Sequence, residues 1–452
     1  MTEVTTQPRP SLLRHPNFMK LWAGETVSQF GTQVTFLALP LIAATTLEVS
    51  PFEFGLLATI EFLPFILLSL PAGVWVDRMR RRPILIAGDL VRAVSLATIP
   101  VAFAFDALTI WQLYLVGFAN GCATVFFDVA YQSYLPALVD RDQIVEGNAK
   151  LETSRSAAQI TGPGLAGVLI GAFSAPFALV LDALSFVVSA VFLVGIRRHE
   201  PAPKRRVDEL GNKPSMRTEI MEGLRYVGGH RFLRSIAATT GSSNFFSNIA
   251  FSILVLYLVR ELGFSPEVLG LAFSLGAVGF LLGALTSSRI AARFGVGRTI
   301  VGSAFTFGPS VLLVALAPRD LAFPFVAASG FLGGFGGAVY NINQVSLRQA
   351  ITPERMQGRM NATMRFIVWG TIPVGAILGG FLGGAIGLLP TIWIGAIGGL
   401  FAFVPVALSP VRSIREMPAP VDGDEPRLPT EQAEDGVVTP PLRRPYPDED
   451  ET

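Results

Sequence analysis

Five stretches of this chain carry no charged residue at all: 26–47, 156–181, 235–259, 321–347 and 366–411. A bilayer core about 30 Å thick needs roughly 20 apolar residues in a helix, and each stretch meets or exceeds that. The AVILMFWYC set makes up 51% of the chain and DEKR only 15%, against about 25% charged in ordinary globular chains. Mean hydropathy is +0.51. A soluble enzyme, a nucleic-acid binder and a secreted disulfide scaffold are excluded. The fold class is an all-α membrane protein.

Twelve spans are read at 18–42, 52–76, 84–105, 108–138, 148–172, 175–196, 235–260, 266–288, 298–317, 321–347, 363–386 and 390–411. The last charge-free run is too long for one crossing. It breaks at Gly387 to Pro390, as the one before the sixth span breaks at Ser174 to Pro176, because glycine and proline end helices. With flanking helix ends included, the five even-to-odd loops hold 24 lysines and arginines and the six opposite loops hold two, Arg260 and Arg319. Positive loops stay inside, so both termini are expected in the cytoplasm. The organisation expected is a cytoplasmic segment 1–17, a six-helix bundle 18–196, a cytoplasmic central loop 197–234, a second bundle 235–411 and a disordered, proline-rich acidic tail 412–452. No cleavable signal is read in the polar N-terminus, so the first span is expected to persist. The single cysteine, Cys122, excludes an intrachain disulfide.

The halves echo each other. Arg155 and Pro163 in the fifth span match Arg365 and Pro373 in the eleventh, 210 residues on. Parallel six-helix repeats are a transporter architecture with the substrate held near the midplane between them.

The loop after the second span carries Gly73, Asp77, Arg78, Arg81 and Arg82, with Arg80 at the intervening turn. It resembles the signature loop of the major facilitator superfamily, which has glycine where this chain has Arg80. Gly73 is expected to permit close helix approach, and Asp77, Arg78 and Arg81 to form a gating lock. Arg80 and Arg82 fit a plain positive-inside anchor. The second-half equivalent around Arg293 and Gly295 lacks the aspartate. Gly162, Pro163 and Gly167 resemble the antiporter motif of exporters in the same superfamily. Stretches such as Phe127 to Pro136, Leu181 to Phe186 and Gly358 to Asn361 look like the branch of macrolide-efflux and enterobactin-export proteins. The resemblance implies two six-helix repeats and proton-driven export across a bacterial inner membrane.

A charge inside a membrane helix costs at least about 2.5–3.5 kcal/mol at mid-depth, which makes it a functional candidate. Glu61, ten residues past Pro51, is placed near the midplane, where low dielectric disfavours a charged carboxylate. It is the first candidate for proton coupling, and Glu25 is the second. Asp128 is assigned as lock partner of Arg78 or Arg81. Asp89 and Arg92, three apart on one helix, are expected to pair with each other or with the basic cluster of the loop after the second span, and Asp182 to reach water near the outer end of its helix. A polar stripe on the first span includes Gln29 and Gln33, and one on the seventh includes Asn244 and Asn248. These four are cavity candidates, with interhelical hydrogen bonding as the competing reading.

No phosphate-cradling glycine loop, metal-ligand cluster or catalytic constellation is read. The function expected is proton-coupled export of drugs or small hydrophobic metabolites by a monomer, with no cofactor. The partners expected are a small-molecule substrate, protons and the lipid bilayer, with no nucleic acid. A lipid or lysolipid flippase and a siderophore exporter share the architecture. A non-transporting receptor would need a larger cytoplasmic domain than these segments supply.

Overall fold

The computed structural model describes residues 12–76, 78–140, 143–197 and 216–418, and these form helices and turns only. In order they are α1 (Pro16–Leu41, running into a π turn at Ile42–Thr46), α2 (Pro51–Val76), α3 (Arg81–Ala104), α4 (Ile110–Leu138), α5 (Ile144–Phe173) and α6 (Ala175–Val194). Then come α7 (Met216–Gly229), α8 (Arg231–Arg260), α9 (Pro266–Phe294) and α10 (Val296–Phe307), which continues through a 3₁₀ turn into α11 (Leu312–Ala315). The last are α12 (Ala322–Ala350), α13 (Glu354–Ile386), α14 (Leu388–Phe401) and α15 (Val404–Ala407). Twelve helices are long and apolar enough to cross a membrane. They are α1 to α6, α8, α9, α10 with α11, α12, α13, and α14 with α15.

The helix starts follow local chemistry. Ser50 and Glu53 cap α2 reciprocally, with Ser50 N–H donating to Glu53 Oε2 at 2.8 Å and Glu53 N–H to Ser50 Oγ at 3.3 Å. Ser265 caps α9, and a proline follows each serine at the first helical position, where its missing N–H has no cost. The tight turns before α6 and α14 place Ser174 and Gly387 at φ of 64° and 94°. Glycine tolerates that conformation and serine does not.

Two segments differ from the sequence reading. Within 197–234, residues 216–229 form α7, and α8 already begins at Arg231. A charged stretch reads as a loop, yet α7 buries Val227 and pairs Glu222 with Arg359 of α13 at 2.6 Å. Similarly α13 starts at Glu354 rather than 363, since its first turns carry charge and lie before the apolar run.

The helix ends divide into a basic face, bearing Arg78 to Arg82, Arg293 and Arg348, and the opposite face, bearing the α1–α2, α5–α6, α8–α9 and α13–α14 turns. Burial is uneven between them. Toward the opposite face a single apolar core includes Leu37, Leu113 and Leu179 of the first half with Leu256, Leu269 and Ile392 of the second. Toward the basic face there are two separate cores. One is built on Phe18, Leu85 and Tyr134, the other on Leu233, Ile300 and Met360. The halves are fused at one face and parted at the other.

Candidate functional site

The seam between the halves is made by two helix pairs, α5 with α9 and α2 with α13. Side chains are excluded where they cross. A methyl on Gly270 would strike the Pro163 carbonyl, and one on Gly167 would strike the Pro266 carbonyl. In the other pair, a methyl on Gly55 would lie 2.7 Å from the Ala376 carbonyl oxygen and one on Gly380 2.9 Å from that of Pro51. Cβ atoms do not approach so closely, so these four positions require glycine. Two hydrogen bonds cross with them: Gly164 N–H to Ser274 Oγ at 2.9 Å, and Thr59 Oγ1 to the Pro373 carbonyl at 3.4 Å. Pro163, Gly167 and Pro373 therefore lie in the seam, while Gly162 faces inward and makes room for Gln33 of α1. Sequence reasoning missed Gly55 and Gly270. Their signal was available, because Ser50, Pro51, Gly55 and Leu56 recur as Ser265, Pro266, Gly270 and Leu271, 215 residues on.

The first half holds the buried acids. Glu25 is 8% exposed and accepts a 2.6 Å bond from Gln29 Nε2, while its Oε2 is buried without a hydrogen bond among the described residues. Asp89 and Arg92 pair at 2.6 Å, as expected from their spacing, and the guanidinium lies between the rings of Phe127 and Phe186 at 4.3 and 4.2 Å. Asp182 corrects its expectation. It is 0% exposed and accepts from Thr35 Oγ1 and, at 2.9 Å, from Ser185 Oγ. The α6 helix starts at Ala175, so Asp182 lies about two turns inside the bundle, facing α1, and does not reach the outer water. Glu61 is consequently not alone among deep acids. Its side chain lies over Gly117 of α4, where a methyl would come within 2.9 Å of Cγ, and it makes no hydrogen bond or ion pair among the described residues.

Asp77 lies outside the described residues. Gly73 has nothing among the described residues within 4 Å of where a Cβ would stand, so it makes no close approach in this conformation. The parting of the halves at the basic face removes the neighbour it would need. Arg78 is exposed and Arg81 half-buried. Arg82 is more than a loose anchor, because its Nε donates to the Leu193 carbonyl at 2.9 Å and caps the end of α6. Asp128 is exposed, the cations whose fields act on it are Arg92 and Arg155, and it makes no ion pair with Arg78 or Arg81 among the described residues in this conformation. The physical reason is that α3 turns Arg92 inward toward α4, while Arg155 stands on the neighbouring α5.

In the second half, Asn244 Nδ2 donates to the Val368 carbonyl of α13 at 3.1 Å and Asn248 Nδ2 to the Asn244 carbonyl at 2.8 Å. Both are half-buried; the Asn244 bond joins α8 to α13, as the interhelical reading has it, whereas the Asn248 bond stays within α8. Arg365 is exposed and lies over the Trp369 ring at 5.0 Å. Trp369 meets Phe62 and Phe65 of the first half edge-on at 6.3 and 6.4 Å. Around this group a cavity of about 610 Å³ lies between α2 and helices α8, α12 and α13.

Residues 9–435 match the family model described as transmembrane secretion effector. The chain is 27% identical to the uncharacterized MFS-type transporter YfiS of Bacillus subtilis, over 86% of this chain and 89% of that one. It is 22% identical to macrolide efflux protein A of Streptococcus pyogenes over 88% and 97% of the two chains. It is 26% identical to multidrug efflux pump Tap of Mycolicibacterium fortuitum over 84% and 91%. The fold is similar to a bacterial homologue of the iron transporter ferroportin. The TM-score is 0.67 for its inward-facing state (18% identity, 88% and 99% covered) and 0.52 for its outward-facing state (19%, 86% and 98%).

Proposed function

The chain belongs to the major facilitator superfamily, in the family of transmembrane secretion effectors, and on that premise we propose that it exports drugs or small hydrophobic metabolites by proton antiport with alternating access. The observation that carries the reading is the single apolar core at one face against two separate cores at the other. Such a shape gives a central pathway access from one side only, which is the minimum alternating access requires. With the basic face in the cytoplasm, this conformation is open inward. The efflux relatives support the direction of transport, and the seam position of Pro163 and Gly167 supports a role for the antiporter motif in holding the outer side shut.

In this reading the parallel glycine crossings at Gly55 and Gly270 are the outer gate. Glu61 and Glu25 are the proton-coupling candidates, and the basic loop locks the inner side in the opposite state. The protein works as a monomer in the bacterial cytoplasmic membrane. The test is drug accumulation in an efflux-deficient bacterium with and without this chain, before and after the proton gradient is collapsed. Lowered accumulation that disappears with the gradient is expected; accumulation unchanged across a broad drug panel would remove the export reading.

A further inference from the structure

The cavity between α2 and the second half is cationic among its described residues. Among the described residues its lining contains two ionisable side chains, Arg348 of α12 and Arg365 of α13, and no carboxylate. Neither arginine has an ion-pair partner among the described residues. Arg348 Nε is buried and makes no hydrogen bond, and one turn away the buried Gln344 Oε1 also has none. Arg365 is held from one side, with its guanidinium over the Trp369 ring at 5.0 Å. A stacked guanidinium keeps its in-plane N–H fork available, and that fork matches the two oxygens of a carboxylate, sulfonate or phosphate.

Arg348 stands near the basic-face end of α12 and Arg365 about three turns into α13, and a charge inside a membrane protein normally faces a partner or a pathway. Two cations in one cavity also repel each other, so an anion between them supplies a partner and relieves that repulsion. The rest of the wall mixes uncharged polar groups, such as Asn341 and Gln344, with an apolar and aromatic side where Phe65 and Trp369 meet. The buried acids Glu25, Asp89 and Asp182 stand elsewhere, on α1, α3 and α6 of the first half, and the half-buried Glu61 of α2 is not part of the lining. We propose that this cavity binds amphiphilic organic anions, an acidic group on an apolar or aromatic body, with Arg348 and Arg365 as the anion-binding pair. The proposal names the substrate class of the export pathway and rests on that reading.

The test uses the full chain in phosphatidylcholine nanodiscs and reads energy transfer from tryptophan to 8-anilinonaphthalene-1-sulfonate, with empty discs as background. Uncharged N-phenyl-1-naphthylamine, of similar apolar body, is titrated in parallel. Arg348→Gln and Arg365→Gln are each expected to weaken the sulfonate about tenfold, or about 1.4 kcal/mol, and to leave the neutral dye unchanged. Arg365→Lys, which keeps the charge without the fork, should lose less than the glutamine variant.

Unchanged sulfonate affinity in the double glutamine variant would overturn the proposal. An equal loss for the neutral dye would also overturn it, by making the arginines structural. The source of the anion is separated by adding phosphatidylglycerol to the discs. Competition with the sulfonate would identify a lipid headgroup as the occupant, and no competition a soluble anion. A parent protein that exports drugs but binds no sulfonate removes this site alone, whereas a parent that binds sulfonate without efflux removes the export reading alone.

Discussion

Pro163 and Gly270 meet across the seam with the α-carbon of the glycine set directly on the proline carbonyl. The contact belongs to both halves of the molecule, and any side chain at 270 must push α9 away from α5. Overpacking of this kind costs about 1–3 kcal/mol. Gly270→Val is therefore expected to open the face that is shut here and to reduce efflux severely without blocking membrane insertion. A cysteine replacing Ser274, in a Cys122→Ser background, reads the change. It should be protected from a membrane-impermeant thiol reagent in the parent and labelled from the opposite face in the valine variant. Protection in both would show that the seam tolerates the extra volume.

Topology is checked the same way. Cysteine at Ser50, in the turn before α2, should label in intact cells, and cysteine at Ser215 only after permeabilisation. The expectation rests on 24 basic residues in the five even-to-odd loops and their flanking helix ends against two in the six opposite ones. The reverse pattern would invert the model and make the present conformation outward-open.

Much of this architecture was legible in the sequence, because membrane spans announce themselves by charge-free length and arginines mark one face. The Asp89–Arg92 pair was legible for a local reason, since three residues along a helix bring side chains together. What depended on which helix faces which was not. Asp182 looked peripheral until α1 was seen to bring Thr35 against it. Asp128 looked like a partner of the nearby loop, yet the fields of Arg92 and Arg155 act on it. The α7 helix stayed hidden because its charged sequence resembles a loop until Glu222 and Val227 find α13 and α8.

The Asp128–Arg155 relationship can be tested against the original assignment. Asp128→Arg and Arg155→Asp are each expected to impair efflux, since each leaves two like charges facing one another. Combined, they should recover part of it. The same exchange made between Asp128 and Arg81 should recover nothing. Recovery by the Arg81 exchange alone would instead favour a lock that forms in another conformation.

Ser174 adopts φ 64° and ψ 158°, a region essentially reserved for glycine and costly by about 1–3 kcal/mol for other residues. Its second-half counterpart at the same turn is Gly387. Ser174→Gly is expected to stabilise the protein by about 1 kcal/mol once the larger unfolded-state freedom of glycine is offset. A raised thermal midpoint in detergent, at unchanged efflux, is the readout. A lower midpoint would mean that Ser174 makes a contribution other than its backbone.

His230, at the junction of α7 and α8, meets the tilted rings of Tyr226 and Phe232 at 6.0 and 5.8 Å, and burial pushes its imidazole below its ordinary value of 6.5. The neutral form is favoured in the fold, so the unfolded chain takes up the proton first. Stability is complete above 6.5 and declines as pH falls below it, until the folded imidazole is protonated too. The thermal midpoint of the parent should therefore drop on mild acidification, and His230→Phe should remove that part of the drop. Parallel pH profiles for the two would assign the acid sensitivity elsewhere.

Glu61 gives the cleanest test of coupling because nothing holds it. It lies over Gly117 without a hydrogen bond or ion pair among the described residues, whereas Glu25 is tied to Gln29 and Asp182 to Thr35 and Ser185. Replacing Asp182 breaks its contact with α1, and replacing Glu25 its bond from Gln29 within α1, along with titration. Glu61→Gln breaks no bond seen here, keeps the volume, and mimics a permanently protonated carboxyl. An antiporter needs a group that loads a proton on one side and releases it on the other as the pathway switches. The glutamine variant is expected to insert and to bind substrate with parent affinity. It should lose efflux driven by the proton gradient, yet still exchange substrate across the membrane at equal pH. That split separates coupling from packing, since a variant that merely loosened α2 from α4 would lose both modes together. Full gradient-driven efflux by Glu61→Gln would remove Glu61 from the mechanism and leave Glu25, with its unpartnered Oε2, as the next carboxyl to test.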